Sequence, residues 1–81
     1  MFGKREIVQV TLLVHGPATR VVKAGTYEVK AGTKLKALLK LAGYVGRGPD
    51  LTCLLEGERV SLSHRLNGGE TVTALQMVAG G

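Results

Sequence analysis

The chain has 81 residues, 44% of them apolar, and a formal net charge of +5. That length holds one small domain, near the lower size at which a single core suffices, and the apolar share excludes a disordered chain. The single cysteine, Cys53, excludes an intrachain disulfide and any all-cysteine iron–sulfur or zinc site within one chain.

Aromatic residues are scarce (Phe2, Tyr27 and Tyr44), so the core must come from Val, Leu, Ile and Ala. The start, Met1-Phe2-Gly3-Lys4-Arg5-Glu6, meets charge at once and is followed by a short apolar run. That pattern is neither a signal peptide nor a membrane span, so a soluble cytoplasmic protein with no membrane partner is expected. The positive charges are dispersed, with no arginine-rich run and no aromatic pair for base stacking. A solvated basic surface that favours an acidic protein partner is therefore expected, and nucleic-acid binding is not.

In chain order, Ile7 to Val14 alternates with period two and reads as a strand. Val8, Val10, Leu12 and Val14 are expected inward; Ile7, Gln9, Thr11 and Leu13 outward. His15-Gly16-Pro17 reads as a turn. A second strand follows between Arg20 and Val29, with Gly25 either splitting it or marking a bulge. Leu35, Leu38, Leu39 and Ala42 fall at helical spacing, which predicts a helix of about ten residues. Thr33 is its expected N-cap and Gly43 its C′ stop. Lys34, Lys36 and Lys40 take the other face, and lysines in the first turn oppose the helix dipole.

Gly46 to Asp50 reads as a loop. A strand Leu51 to Leu55, a tight turn at Glu56-Gly57-Glu58 and a short return at Arg59-Val60-Ser61 follow. Asn67-Gly68-Gly69 is another turn, and Thr71 to Met77 is the last strand. Val72 and Ala74 are expected inward there, with Thr73, Leu75 and Met77 outward. The order β-β-α-β-β-β, with a crossover helix, places the first and last strands side by side and parallel. The expected fold is an α+β roll, a β-grasp, with a mixed sheet of four to five strands on one main helix. It spans residues 1–77, and 78–81 form a tail.

The tail is Val78-Ala79-Gly80-Gly81. Neither final glycine has a side chain to bury, and both carry high chain entropy. Such an end suits a carboxylate threaded through a narrow channel into another protein's active site.

Three pieces of the chain together resemble the ubiquitin-like sulfur carriers of the ThiS and MoaD family. They are Leu54-Leu55-Glu56-Gly57-Glu58-Arg59-Val60, Leu66-Asn67-Gly68-Gly69-Glu70-Thr71-Val72 and Val78-Ala79-Gly80-Gly81. Two features depart from the family pattern. Its acidic Asp-Gly-Asp is here Gly68-Gly69-Glu70, and Leu75-Gln76-Met77 replaces the aromatic and proline residues usual before the tail. These departures bear on which enzyme the carrier would dock with.

The resemblance implies a protein that is not itself an enzyme. A partner adenylating enzyme would use ATP to convert the Gly81 carboxylate to an acyl-adenylate. A donor persulfide would then displace AMP, and the resulting C-terminal thiocarboxylate would give its sulfur to an acceptor synthase subunit. Molybdopterin and thiamine biosynthesis are the cofactor routes implied. No cofactor would be bound by the carrier, and no metal. The same activated terminus would equally serve a ubiquitin-like modifier joined to lysines of other proteins. A β-grasp interaction module with inert terminal glycines is a third reading.

The second candidate site is the outward sheet face, where Leu13, Leu75 and Met77 are expected as neighbours and Arg59 as a border residue that pairs with an acid on the partner. Cys53 lies within a strand with no His or Asp near it in sequence, and reads as a small buried hydrophobe rather than a nucleophile. His15 and His64 form no metal-ligand spacing with it. The glycines do not form a phosphate-binding loop, so no intrinsic ATP binding is expected.

Overall fold

A computed structural model of the protein describes residues 6–44 and 51–76. Strand β1 (Ile7–His15) runs through a 3-10 turn at Gly16–Arg20 to strand β2 (Gly25–Lys30). A two-residue strand β3 (Thr33–Lys34) leads directly into helix α1 (Leu35–Leu41). Strands β4 (Leu51–Leu55), β5 (Glu58–Val60), β6 (Arg65–Leu66) and β7 (Thr71–Gln76) follow. The expected loop Gly46 to Asp50, Met77 of the last strand and the tail lie outside the described residues.

The main sheet has five strands in the order β2-β1-β7-β4-β5. Strands β1 and β7 are parallel, and every other pair in that sheet is antiparallel. Among the described residues the chain is thus α+β, with a mixed sheet and one α-helix, and the first and last of these strands are neighbours as the crossover topology requires. The alternation in β1 is as expected. Val10 and Leu12 are fully buried, Val8 and Val14 pack against the core, and Ile7, Gln9 and Leu13 are exposed. On β7, Val72 and Ala74 are fully buried.

The helix supplies Leu35, Leu38, Leu39 and Ala42 to the same core. Each fully buried leucine contributes about 1.5–3 kcal/mol of apolar burial, which holds a helix too short to persist alone. Its end is the expected glycine stop. Gly43 has φ +114°, its N–H donates to the Lys40 carbonyl at 3.1 Å, and the Tyr44 N–H donates to the Leu39 carbonyl at 2.8 Å. That pair of bonds is a Schellman motif, closing orphan carbonyls of the last turn.

The start of the helix differs from expectation. Thr33 is not the N-cap: it pairs with Leu66 across the β3–β6 ladder, and its hydroxyl donates to the Lys30 carbonyl at 2.6 Å. The N–H groups of Leu35 and Lys36 donate instead to the carbonyls of His64 and Leu62, at 2.8 and 2.9 Å. Main-chain oxygens from a distant loop therefore do what a capping side chain does elsewhere. The helix has seven residues rather than about ten. Gly25 opens β2 rather than splitting it, and His15 belongs to β1, so the turn begins at Gly16. The return strand is Glu58–Val60, one residue earlier than expected.

The two turns of the last third form as expected. Glu56 and Gly57 both take positive φ, 52° and 82°, the type I′ geometry that matches strand twist in a two-residue hairpin. Gly68 and Gly69 also have positive φ. The Glu70 carboxylate turns back on that loop, accepting the N–H of Asn67 at 2.7 Å and of Gly68 at 2.6 Å.

Candidate functional site

The inward residues of each strand identify the opposite face by parity. Leu13 stands beside Thr73, Thr73 beside Leu54, and Leu54 beside Arg59, so β1, β7, β4 and β5 contribute one continuous row. The next row toward the end of β7 is His15, Leu75 and Thr52. Leu13 and Leu75 are therefore on one face in adjacent rows, diagonal rather than directly opposite. Leu13 is 42% exposed, Leu54 and Leu75 are half-buried, and Arg59 is exposed.

The sequence reading missed Leu54 as a member of this face. Its signal was the parity of Leu51–Leu55, once Cys53 is known to face the core. Cys53 pairs with Val60 on one side and with buried Ala74 on the other, so Thr52 and Leu54 must point outward. The result is a trio of leucines separated by Thr73, with His15 and Arg59 at its margins.

Such a surface can lose apolar area to a partner while threonine hydroxyls hydrogen-bond at the same contact. Arg59 adds a planar charged fork suited to a carboxylate at the rim. Strand β7 carries Leu75 at its penultimate described position, so the chain reaches the end of the sheet beside the apolar rows. Gly16 sits against that exit: a Cβ placed there would come within 3.3 Å of the Gln76 carbonyl oxygen. The expected site residues Met77, Val78, Ala79, Gly80 and Gly81 lie outside the described residues.

Of the other reactive side chains, His15 stands at the margin of this face, and Cys53 and His64 do not join it. Cys53 is buried, and desolvation pushes its thiol pKa up from the ordinary value, which suppresses the thiolate. His15 is exposed at the end of β1, while His64 is half-buried and gives its main-chain carbonyl to the helix. Among the described residues no group of three or more His, Cys, Asp or Glu side chains is placed to hold a metal ion. No helix among them is long and apolar enough to cross a membrane.

Glu70 is the residue of structural importance that sequence reasoning treated only as part of a motif. Its two accepted hydrogen bonds fix the Gly68-Gly69 loop, and the Gly69 N–H then donates to the Gln9 carbonyl at 2.8 Å. Its own carbonyl accepts the Thr11 N–H at 2.9 Å, where the β1–β7 pairing begins. The loop thus aligns β7, and with it the outward row, against β1. Compared with family models and with curated proteins, the chain matches none.

Proposed function

We propose that this chain is a β-grasp sulfur carrier of the ThiS and MoaD type, whose Gly81 carboxylate is activated by a partner. The observation that carries the reading is the outward row Leu13–Thr73–Leu54–Arg59, with Leu75 in the row beside it at the end of β7. A partner that covers these leucines lies beside the point from which the chain continues toward Gly81. The chain's own contribution is recognition and reach, and the partner supplies the chemistry.

A carboxylate is a poor electrophile until one oxygen becomes part of a good leaving group. Adenylation by an ATP-using enzyme provides that group; a partner's persulfide then displaces AMP to form an acyl disulfide, and a second thiol of the partner cleaves its S–S bond, releasing the thiocarboxylate and leaving a disulfide on the partner. Glycine at positions 80 and 81 leaves the reacting carbonyl free of side-chain bulk. The resulting sulfur nucleophile would be delivered to the acceptor synthase in molybdopterin- or thiamine-type biosynthesis. The buried Cys53 supports this division of labour, because the thiol is not available as the sulfur-bearing group.

Intact-mass analysis of the protein from its native host tests the reading. The expected result is a species with one oxygen of the Gly81 carboxylate replaced by sulfur. Leu75→Asp and Leu13→Asp, checked for folding by circular dichroism, are expected to abolish adenylation. Gly-Gly remnants on lysines of other proteins would replace the carrier by a protein modifier. Full function after removal of Gly80 and Gly81 would sink both.

A further inference from the structure

We infer that the face opposite the leucine rows, formed by α1 and the segment after the 3-10 turn, docks an acidic protein segment that carries leucine-like side chains. This goes beyond the carrier reading and does not rest on it. Residues 16–24 and 33–43 contain Arg20, Lys23, Lys34, Lys36 and Lys40 and no Asp or Glu. Lys36 and Lys40 are exposed one helical turn apart, and Arg20 and Lys23 are exposed as well.

The fold joins these two segments. The Lys23 N–H donates to the Ala42 carbonyl at 2.9 Å, and the Val21 carbonyl lies against Gly43. Two apolar side chains are thereby left in solvent at the same end of the molecule, Val21 at 53% and Leu41 at 64% exposure. No described carboxylate lies within these two segments. Glu28 is opposite Gln9 on the outward sheet face, Glu56 is in the β4–β5 turn, and Glu58, on the same side of the sheet as Leu55, stands on the edge strand β5. Glu70 is engaged by its own loop, and Glu6 bonds through its carbonyl to Ala31, beyond β2.

Charge complementarity therefore requires an acidic occupant, and Val21 and Leu41 require that it also bring apolar groups. A nucleic acid meets only the first condition. Among the described residues the aromatic rings, Tyr27 and Tyr44, pack against the core, so neither is free for base stacking. A membrane surface is matched poorly too, because a seven-residue helix with one exposed leucine lacks the broad apolar face of an interfacial helix.

The test is a titration of the full isotopically labelled chain with a synthetic peptide alternating Glu and Leu, followed by NMR. Amide shifts are expected at Val21, Lys23, Lys36, Lys40 and Leu41. Lys36→Glu/Lys40→Glu is expected to weaken binding by about tenfold or more, and Leu41→Ser by about fivefold, with the amide spectrum otherwise retained. Equal binding of a Glu–Ser peptide would overturn the proposal in favour of unspecific polyanion attraction. Tighter binding of duplex RNA or of phosphatidylserine vesicles at the same amides would overturn it in favour of those partners. Shifts centred on Leu13 and Leu75, or none, would remove the helix face as the site.

Discussion

The main-chain carbonyl of Val21 occupies the space in which a side chain on Gly43 would begin. With φ at +114°, Gly43 is already in a region that L side chains rarely adopt. The two constraints act together, so the position accepts glycine alone.

Gly43→Ala is accordingly expected to cost about 2 kcal/mol or more, from the left-handed backbone and from displacement of the 21–23 segment. For a domain of this size that lowers Tm by roughly 8–16 °C. Thermal unfolding by circular dichroism measures it, and a loss of less than about 2 °C would contradict the close approach of Val21 to Gly43.

Hydrogen exchange distinguishes the observed helix start from an ordinary one. First-turn amides normally lack main-chain partners. Here Leu35 and Lys36 donate to His64 and Leu62, so both amides are expected to be protected to the level of the core strands. Thr33→Ala should leave that protection in place, because the hydroxyl serves Lys30 rather than the helix. Rapid exchange at Leu35 and Lys36 in the unaltered protein would refute the arrangement.

Glu70→Ala removes a carboxylate that accepts two main-chain N–H groups. Partial solvent exposure of the loop limits the loss to about 1–2 kcal/mol. Urea unfolding should show a lower midpoint with an unchanged m-value. Glu70→Gln, which keeps one accepting oxygen, should fall between the two. Equal stability of all three proteins would show that the loop is held by its glycines alone.

Cys53 gives the pH dependence. Its pKa is raised by desolvation in the folded protein, so the folded state keeps the proton longer than the unfolded chain. The stability this contributes is fully present below the unfolded thiol value, about pH 8.5, and is lost as pH rises through and above it. Cys53→Ala should flatten that alkaline decline, and alkylation of native Cys53 by iodoacetamide should be much slower than in urea. Fast native alkylation would place the thiol outside the core.

What the sequence disclosed was set by range. Eight alternating residues from Ile7 to Val14 identify a strand and its inner face without help from the rest of the chain, and Gly43 ends the helix through local bonds alone. The parallel pairing of β1 and β7 was legible because a crossover of one helix restricts the topology. The β3–β6 ladder was not, since two-residue strands leave no periodicity. The helix start was misread for a related reason: Thr33 has the residue type of a cap, but the oxygens that satisfy the helix come from residues 62 and 64. Leu54 escaped notice because a run of Leu51, Leu54 and Leu55 does not declare which leucine faces out until the register with Ala74 is known.

The placement of β7 between β1 and β4 has a consequence for synthesis. As the chain emerges from the ribosome, the β1–β2 and β4–β5 hairpins appear first, and neither is adjacent to the other in the finished sheet. The strand that joins them is made last of the seven. The sheet can close only after residues 71–76 have cleared the exit tunnel. A chain stalled before Thr71 presents two unjoined hairpins with their apolar sides open.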